Sequence, residues 1–314
     1  MKQNQRVKLR TGIEISKFGL GTAAFGGLYQ GVSMQDCQKT TATALEHGIT
    51  FIDTAPHYGK GVSETRLGEI LKSHHRDALQ ISSKVGRILE NTEYETDEFF
   101  KDSDTSKTRV YDYSAAGIDR SIKDSLERLQ IDYLDIVFIH DPEGNEDIAI
   151  SEGARALSKL RDSGYIKAYG VGMNISATPT RFIKETDIDI VLIAGRFSIL
   201  DQSAKEDLLP AALDKNVDII AAGVFNSGLL ANPKTGSTYD YLPASNQLLK
   251  KVLDIQNLAR EYGVSLKAAA TQFPLKHPAV KAVLVGCRSK EEVEENVHAF
   301  NEEIPEEFWS EMGL

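Results

Sequence analysis

The feature that most constrains the fold of this chain is a regular alternation of compact apolar runs with longer segments of helical period. Alternating strands and helices predict parallel strands joined by right-handed crossovers, and eight such units favour a closed barrel over an open doubly wound sheet. We therefore predict an α/β fold, a single (β/α)8 TIM barrel. The predicted strands are Phe18–Gly21, Thr50–Asp53, Leu79–Lys84, Leu134–His140, Ile166–Gly172, Ile188–Ile193, Val217–Ala222 and Val280–Val285.

The segments between these strands are predicted to surround the barrel. Apolar and polar residues alternate on both sides of Thr11-Gly12 in the segment Val7–Ile15, which predicts an N-terminal β-hairpin covering one end of the barrel. Two long loops, 87–112 and 231–241, are the exceptions to the regular pattern. Helices are predicted at Ser33–His47, Ser63–Lys72, Ser114–Leu129 and Gly153–Asp162.

The length of 314 residues leaves the number of domains open. A prior of roughly 150 residues per domain suggests two domains, whereas a single α/β barrel commonly takes about 250 residues. No Pro/Ser-rich linker, charge block or low-complexity tract divides the sequence. We therefore expect one barrel domain over residues 1–314.

Composition and charge argue against several classes of protein. The chain has 46 acidic and 36 basic residues, and its net charge of −10 argues against a nucleic-acid partner, which requires a basic surface. No apolar run approaches the roughly 20 residues that span a bilayer, and the first ten residues lack the apolar stretch of a secretory signal. We therefore expect a cytoplasmic protein without a membrane partner. These features carry no prediction of oligomeric state.

The cysteines and histidines do not predict a metal site. Cys37 and Cys287 lie far apart and form no CxxC pair, so we expect two reduced thiols rather than a disulfide framework or a zinc site. His57, His74, His75 and His277 lack partners at metal-ligand spacing and are expected at the surface or beside the site.

Ionisable side chains follow three successive predicted strands. The second strand ends in Asp53, the third in Lys84 and the fourth in His140, and the loop after the second strand carries Tyr58. Any single strand must end in something polar, so one such residue alone also fits a structural role. As a set, however, the four would converge at the C-terminal face of the barrel, where each is costly to desolvate unless it is paired or used.

The chemistry of these four residues suits proton transfer. A free phenol ionises near pH 10, but a neighbouring ammonium such as that of Lys84 favours the phenolate, so Tyr58 becomes a usable acid/base. Asp53 could hold the charge and position of Lys84, and His140 could hydrogen-bond the substrate oxygen. The residues form neither a nucleophilic triad nor a metal cluster.

At these positions the chain resembles the aldo-keto reductase family. The segment Phe51–Gly59 (FIDTAPHYG), followed by Ser63-Glu64 and Leu67-Gly68, is similar to the family signature around its catalytic tyrosine, and Gly19–Thr22 (GLGT) is similar to its first-strand motif. The resemblance runs from about residue 8 to residue 300. It implies an NAD(P)-dependent oxidoreductase whose catalytic residues are Asp53, Tyr58, Lys84 and His140.

Three further segments resemble one branch of that family. Ala194–Phe197, Leu200–Gln202 and Ala222–Leu229 are similar to the aldose 1-dehydrogenases, a branch that includes L-fucose and D-threo-aldose dehydrogenases and pyridoxal 4-dehydrogenase. The branch implies oxidation of the C1 hydroxyl of an aldose, or of a similar alcohol such as pyridoxal, by hydride transfer to the dinucleotide. Tyr58 would then accept the hydroxyl proton.

The cofactor site is also implied by the resemblance, since no GxGxxG follows the first strand and a Rossmann site is not indicated. Family members bind the dinucleotide extended over the barrel top. Without the resemblance, the glycines would also fit a plain strand-to-helix turn and an aromatic after a strand is more often core. The implied contacts are Thr22, Asp53 and Arg196 near the ribose, Asn174 at the carboxamide, Phe197 stacked on the nicotinamide, Gly223, Val224, Phe225, Ser227, Gly228 and Leu229 at the pyrophosphate, and Gly286, Arg288, Glu292, Glu295 and Asn296 at the adenosine.

The adenosine end favours NAD over NADP. Several NADPH-preferring members have a basic residue where Glu292 stands, and a carboxylate there would repel a 2′-phosphate. Arg288 keeps NADP open, because a guanidinium could bind that phosphate or stack on adenine. Glu292 could equally be a solvated helix residue.

The two long loops are expected to lie over the site. The acid-rich loop 87–112 would form a lid on the substrate pocket with Tyr94, Phe99 and Phe100 facing inward, unless it is a merely solvated insert. The loop 231–241 would become ordered over the bound dinucleotide.

Three functions therefore compete. The leading one is an NAD-dependent aldose or polyol-type dehydrogenase acting on a small sugar or carbonyl substrate. The second is an NADPH-dependent reductase of aldehydes and ketones. The third is a nicotinamide-binding regulatory subunit with slow turnover, although no partner-binding extension is visible in the sequence.

Overall fold

A computed structural model describes residues 1–234, 236–240 and 242–313. Its centre is a closed barrel of eight parallel strands in which each strand pairs with its neighbours in chain order, and this confirms the predicted (β/α)8 architecture. The strands, in chain order, are β1 Arg6–Lys8, β2 Glu14–Ser16, β3 Phe18–Gly21, β4 Phe51–Asp53, β5 Gln80–Val85, β6 Arg87–Asn91, β7 Lys107–Tyr111, β8 Leu134–His140, β9 Ile166–Met173, β10 Ile190–Ala194, β11 Asp218–Ala222, β12 Thr238–Tyr239, β13 Leu242–Pro243 and β14 Val280–Gly286. The barrel consists of β3, β4, β5, β8, β9, β10, β11 and β14.

Helices follow the barrel strands, and several begin at serines. The side chains of Ser33, Ser114 and Ser289 each accept a hydrogen bond from a backbone N–H three residues on, which satisfies a donor that the first helical turn leaves free. In the described residues none of the helices has the length and apolarity that crossing a bilayer requires. The helices are α1 Met34–Glu46, α2 Val62–Leu71, α3 Ala115–Leu129, α4 Glu146–Ile148, α5 Arg155–Asp162, α6 Ala177–Glu185, α7 Leu208–Lys215, α8 Asn246–Glu261, α9 Leu266–Gln272, α10 Lys290–Asn301 and α11 Glu306–Glu311.

The fourth helix begins earlier than the sequence predicts. Helical structure starts at Glu146, not at Gly153, and α4 continues through a π-helical segment at Ala149–Ala154 into α5. The wider π turn displaces the 3.6-residue spacing of apolar positions, so the period becomes regular only beyond the predicted start.

The barrel interior is filled by side chains and closed at one end by the predicted hairpin. Phe51, Phe138 and Leu284 belong to a buried cluster inside the barrel, and Leu9 and Ile15 from the β1–β2 hairpin join the same cluster. A larger apolar layer lies between the strands and the helices. The hairpin therefore covers the amino ends of the strands and leaves the carboxyl ends for polar side chains.

The prediction that 87–112 is only a loop was wrong. Strands β6 and β7 pair antiparallel at its two ends, from Arg87 opposite Tyr111 to Asn91 opposite Lys107. Ile88 and Leu89 are buried under this hairpin while most of its other side chains are charged or exposed. The charges hide the strand pattern in the sequence, because only one short stretch of the hairpin carries apolar residues.

The second long loop, 231–241, carries the short strand β12, which pairs with β13. Thr235 and Tyr241 of this segment lie outside the described residues. Its ordering over a bound dinucleotide stays a prediction.

Candidate active site

The four predicted catalytic side chains meet at the carboxyl ends of neighbouring barrel strands. Asp53 ends β4, Lys84 is the penultimate residue of β5 and His140 ends β8. The Lys84 ammonium donates to Asp53 Oδ2 at 2.6 Å and to the Tyr58 hydroxyl oxygen at 3.1 Å. The Tyr58 and His140 rings lie 6.2 Å apart in an edge-to-face arrangement.

Asp53 and Lys84 form a buried ion pair that is closed on the protein side. Both side chains are almost completely buried, and Asp53 also accepts a hydrogen bond from Ser82 at 2.7 Å, its neighbour in the strand register. Burial lowers the pKa of the Lys84 ammonium, but the Asp53 carboxylate and the Tyr58 oxygen raise that pKa by more, so its net pKa lies above the ordinary value. Lys84 is therefore a fixed positive charge beside the Tyr58 oxygen.

Tyr58 lies on a loop whose backbone packs directly on another loop. A Cβ on Gly26 would lie 2.5 Å from the Tyr58 carbonyl carbon, and a Cβ on Gly59 would lie 2.6 Å from the Gly26 oxygen. Gly59 also has a positive φ of 64°. The two glycines therefore permit the close approach that positions Tyr58.

A buried hydroxyl network holds the start of the same loop. The Thr22 hydroxyl donates to the Asp53 carbonyl at 3.0 Å and lies 2.9 Å from the Ser63 hydroxyl, which in turn donates to the Thr22 carbonyl at 2.7 Å. Thr22, predicted near the ribose of the cofactor, is therefore fully buried and engaged within the protein.

His140 presents a neutral imidazole. Burial, reinforced by the charges of Arg87 and Lys84, holds the pKa of the His140 ring well below its usual value. Nδ1 is buried without a hydrogen-bond partner among the described residues, and the Asp141 carboxylate lies 3.6 Å from Nε2. The carboxylate favours the tautomer with its hydrogen on Nε2, so this nitrogen is a hydrogen-bond donor.

A cavity of about 330 Å³ opens onto these residues. Tyr58, Lys84 and His140 line it together with Phe99 and Phe100 from the 87–112 insert. The insert therefore contributes an aromatic wall, as predicted for these two residues. Tyr94 is 71% exposed and does not line the cavity, so its predicted inward orientation was wrong, because it lies in the outer bend of the hairpin.

Three polar residues beside the tetrad were not among the predicted catalytic or cofactor-binding residues: Arg87, His57 and Asp141. Arg87 donates to Asp141 Oδ2 at 2.5 Å and to His57 Nδ1 at 3.1 Å, and both His57 and Asp141 line the cavity. Asp141 follows His140 directly and Arg87 follows the Lys84 strand, so their position at strand ends was a signal in the sequence. No comparable signal in the sequence indicated the insert hairpin that orients Arg87.

The segment 223–229 offers backbone donors that fit a dinucleotide pyrophosphate. Asn226, Ser227 and Gly228 have φ values of 46°, 58° and 89° in succession, and Gly223 has a φ of 61°. The N–H groups of Ser227 and Gly228 make no hydrogen bond to any described residue. A concave run of free N–H groups is a common anion site in proteins. Val224 and Leu229 are buried and anchor the segment from below, with Phe225 partly buried beside them.

Asn174 and Arg196 lie together beside the cavity, whereas Phe197 does not face it. Asn174 lines the cavity, and its carbonyl accepts a hydrogen bond from Arg196 at 2.8 Å. Arg196 also pairs with Asp240 at 2.5 Å. Phe197 is 3% exposed and packs on Phe273, so its ring occupies the core position that the sequence left open as an alternative.

At the predicted adenosine end, Glu292 lies in the first turn of α10, whose N-cap is Ser289, and pairs with Arg288. Ser289 accepts from the Glu292 N–H at 3.3 Å, while Glu292 Oε2 accepts from the Arg288 N–H at 2.9 Å and Oε1 lies 2.9 Å from Arg288 Nε. Glu295 pairs with Lys267, and the buried Asn296 contacts Cys287. Gly286, at the end of β14, is exposed. The two charges whose balance was to decide between NAD and NADP therefore neutralise each other.

No group of three or more metal-ligating side chains occurs within residues 1–234, 236–240 and 242–313. Cys37 and Cys287 are both buried and free. Burial raises the pKa of the Cys37 thiol to about 11 and that of Cys287 to about 12, so both are protonated at pH 7.

Comparison with known proteins confirms the resemblance seen in the sequence. Residues 17–313 match the Aldo/keto reductase family. The chain is 37% identical to a D-threo-aldose 1-dehydrogenase from Pseudomonas sp, over 100% of this chain and 98% of that protein. It is 36% identical to a pyridoxal 4-dehydrogenase from Microbacterium luteolum, over 96% and 94% of the two chains. The holo form of an aldo-keto reductase from Bacillus halodurans superimposes with a TM-score of 0.77 at 26% identity, over 98% of this chain and 95% of that one.

Proposed function

The chain belongs to the aldo/keto reductase family, and we propose that it oxidises the C1 hydroxyl of an aldose by hydride transfer to NAD, with Tyr58 as the general base. As a member it is an NAD(P)-dependent oxidoreductase acting on CH–OH groups. The observation that carries the proposal is the contact between the Lys84 ammonium and the Tyr58 hydroxyl oxygen, 3.1 Å long, on the wall of the cavity.

The proposed chemistry divides between the cofactor and the side chains. A bound nicotinamide would supply the hydride acceptor with which C1 of a cyclic hemiacetal is oxidised to the lactone. Tyr58 accepts the hydroxyl proton, and the positive charge of Lys84 stabilises the phenolate form that can do so. His140 donates from Nε2 to the C1 oxygen and orients it toward Tyr58. Asp53 positions Lys84 through their 2.6 Å contact.

The free N–H groups at Ser227 and Gly228 support a dinucleotide on this face of the barrel. NAD is proposed over NADP because the Glu292 carboxylate already forms an ion pair with the Arg288 guanidinium. A 2′-phosphate would have to displace that carboxylate and would be repelled by it. A ribose 2′-hydroxyl carries no charge and meets neither obstacle.

Pyridoxal is the second candidate substrate, and the aromatic wall favours it. Phe99 and Phe100 both line the cavity, and the Phe100 ring is inclined by 28° to that of Tyr58, with the ring centroids 6.0 Å apart. A flat heteroaromatic ring can stack in such a place. The similarity to a pyridoxal 4-dehydrogenase is almost as high as the similarity to the aldose enzyme.

The first experiment measures initial rates of nicotinamide reduction with NAD and NADP separately. The panel contains L-fucose, D-arabinose, D-galactose and pyridoxal, and simple aldehydes are tested in reverse. Fast NAD reduction with a sugar is the expected result, and fast reduction with pyridoxal supports the second candidate. Activity confined to NADPH and aldehydes would overturn the proposal. Slow turnover with every compound would favour a regulatory nicotinamide-binding subunit.

The role of Tyr58 is tested by Tyr58→Phe. We expect a loss of at least about 100-fold in kcat with nearly unchanged dinucleotide binding, because general acid–base catalysis typically contributes about 10²- to 10⁴-fold. Tyr94→Phe is the matched control, since it removes the same hydroxyl from an exposed residue outside the cavity. A Tyr58→Phe enzyme that oxidises substrate at the wild-type rate would refute the assignment.

The cofactor preference is tested by Glu292→Gln. Removing this charge is expected to raise kcat/KM for NADP by about fivefold, the effect of relieving roughly 1 kcal/mol of surface repulsion. The contact between Glu292 and the Arg288 N–H changes at the same time, so the variant is compared with Glu294→Gln, which removes an exposed charge from the same helix at a position not predicted to contact the cofactor. An unchanged ratio of NADP to NAD activity would contradict the account of this pair.

A further inference from the structure

We propose that Asp141, held by Arg87 beside His140, is a binding site for the hydroxyl group on the carbon next to the reacting carbon. The substrate would then be a compound with adjacent hydroxyl groups, such as an aldose with a free C2 hydroxyl. The inference rests on the proposed function, since it takes His140 to hold the C1 oxygen.

The position of Asp141 is built into the fold. It follows the last residue of β8 with a φ of 40°, and its backbone carbonyl accepts a hydrogen bond from Tyr113 at 2.8 Å. The same Tyr113 hydroxyl contacts the His140 carbonyl at 2.7 Å. Arg87 fixes the side chain through Oδ2. The carboxylate is therefore held at a constant place relative to His140, with Oδ2 3.6 Å from His140 Nε2.

One oxygen of this carboxylate is available to a ligand. Oδ1 accepts no hydrogen bond from any described residue, the side chain is 27% exposed, and Asp141 lines the cavity. The fully buried carboxylate of the same strand differs in this respect, because both of its oxygens have partners. Asp135, buried at the other end of β8, receives Arg76 and the Ile81 N–H on one oxygen and Lys167 on the other. The unused oxygen of Asp141 points to a ligand that donates a hydrogen bond.

His57 supplies the complementary donor. Burial, followed by the charges of Arg87 and Arg109, lowers the pKa of the His57 ring to about 2, so the ring is neutral. Arg87 donates to Nδ1 at 3.1 Å, which makes Nδ1 the acceptor nitrogen and places the ring hydrogen on Nε2. The cluster of Asp141, Arg87 and His57 thus provides an acceptor and a donor on the wall of the same cavity.

A hydroxyl group matches this pair better than other oxygen groups do. It donates to the carboxylate and accepts from an N–H, whereas a carbonyl oxygen cannot donate and a carboxylate ligand would be repelled. The oxygens on adjacent carbons of a sugar lie within hydrogen-bonding distance of each other. A C1 oxygen on His140 therefore brings the C2 oxygen to the neighbouring Asp141.

The test compares an aldose with its 2-deoxy analogue. The ratio of kcat/KM for D-galactose to that for 2-deoxy-D-galactose is measured in the wild type, Asp141→Asn and Glu143→Gln, with L-fucose and 2-deoxy-L-fucose as the second pair. Asn is chosen because it tolerates the left-handed φ of this position. Glu143→Gln removes the same charge from the same loop at an exposed site outside the cavity.

The wild type is expected to prefer the hydroxylated sugars by about 10- to 100-fold, the usual effect of a hydrogen bond to a charged group. Asp141→Asn should reduce this ratio to within about threefold of unity, mainly by lowering kcat/KM for the hydroxylated sugar. Glu143→Gln should leave it unchanged. The wild-type ratio alone tests the idea without any variant, should Asp141→Asn fold poorly.

Two results would overturn this inference while leaving the proposed function intact. One is a wild-type enzyme that oxidises both members of each pair equally well. The other is an Asp141→Asn enzyme in which both members lose activity by the same factor, which indicates that Asp141 only positions His140. If the wild type oxidises no aldose with either dinucleotide, the proposed function fails and the inference fails with it.

Discussion

Replacing Lys84 with Met tests how much the Lys84 charge contributes to the stability of the buried Asp53–Lys84 pair. The change keeps an unbranched side chain of similar volume but removes the ammonium that, among the described residues, is the one cation in contact with Asp53, which is 1% exposed. Ser82 is then the remaining side-chain donor to the carboxylate. A buried carboxylate that has lost its partner is expected to take up a proton in the folded protein.

The loss in the free energy of unfolding can be calculated from the cost of protonating Asp53. Protonating an aspartate with an unfolded pKa of about 3.9 at pH 7 costs about 4 kcal/mol, at about 1.4 kcal/mol for each pH unit. This agrees with the roughly 3–5 kcal/mol measured when one partner of a buried ion pair is removed. We therefore expect Lys84→Met to lower the free energy of unfolding by about 4 kcal/mol at pH 7.

The loss depends on pH with a defined sign. In the variant the pKa of Asp53 in the folded state lies above its unfolded value, so the folded state binds more protons. Stability of the variant relative to wild type therefore falls as the pH rises and recovers as the pH falls. The deficit should shrink to about 1.5 kcal/mol at pH 5, since about 1.4 kcal/mol is regained per unit.

Urea unfolding at pH 5, 6, 7 and 8 measures this dependence for wild type, Lys84→Met and Asp53→Asn/Lys84→Met. The double variant removes both charges and should recover most of the lost stability. A deficit that is the same at every pH, or a double variant as unstable as the single one, would refute the reasoning. Either result would mean that Lys84 stabilises the barrel through packing.

Two other variants test the packing between barrel strands and the charge at the catalytic face. Gly170→Ala should destabilise the protein by about 3 kcal/mol or more in urea unfolding, because a Cβ there would overlap the carbonyl oxygen of Ile190 on the paired strand. A variant as stable as the wild type would show that the strands separate easily. The pKa of His57 is about 2 in the folded state, well below its unfolded value of about 6.5, so the unfolded wild-type chain binds a proton that the folded protein does not. Wild-type stability is therefore full above about pH 6.5 and falls below it, and His57→Gln should remove this dependence. Relative to this variant the wild type should lose about 2 kcal/mol between pH 7 and pH 5, and parallel pH profiles would contradict the neutral assignment.

The barrel and its catalytic face could be predicted because both depend on local patterns. Each barrel strand is a compact apolar run, and the residue at which the run becomes polar is also the residue that leaves the barrel at its carboxyl end. For this reason Asp53 and His140 could be placed at the ends of β4 and β8 from the sequence. The convergence of the tetrad then follows from the closure of the barrel.

The cavity walls could not be predicted in the same way, because they depend on contacts between distant segments. Arg87 reaches Asp141 only because β6 and β7 pair across the insert, and the charges of that hairpin conceal its strands. The cofactor end shows a similar limit. Arg288 and Glu292 were weighed separately as sites for a 2′-phosphate, whereas in the folded chain they form one neutral pair.

The two ends of the barrel show how a buried charge with a structural role differs from one at a reactive site. Asp135, Asp189 and Asp218 are all buried near the amino ends of their strands, and each of their oxygens has a partner in the protein. At the carboxyl ends two groups on the cavity wall lack such partners among the described residues: His140 Nδ1 accepts or donates no hydrogen bond, and Asp141 Oδ1 accepts none. Burial alone would place all of these groups in one class. Unused hydrogen-bonding capacity on the cavity wall separates Asp141 from these three aspartates, because a ligand that donates a hydrogen bond could satisfy it there.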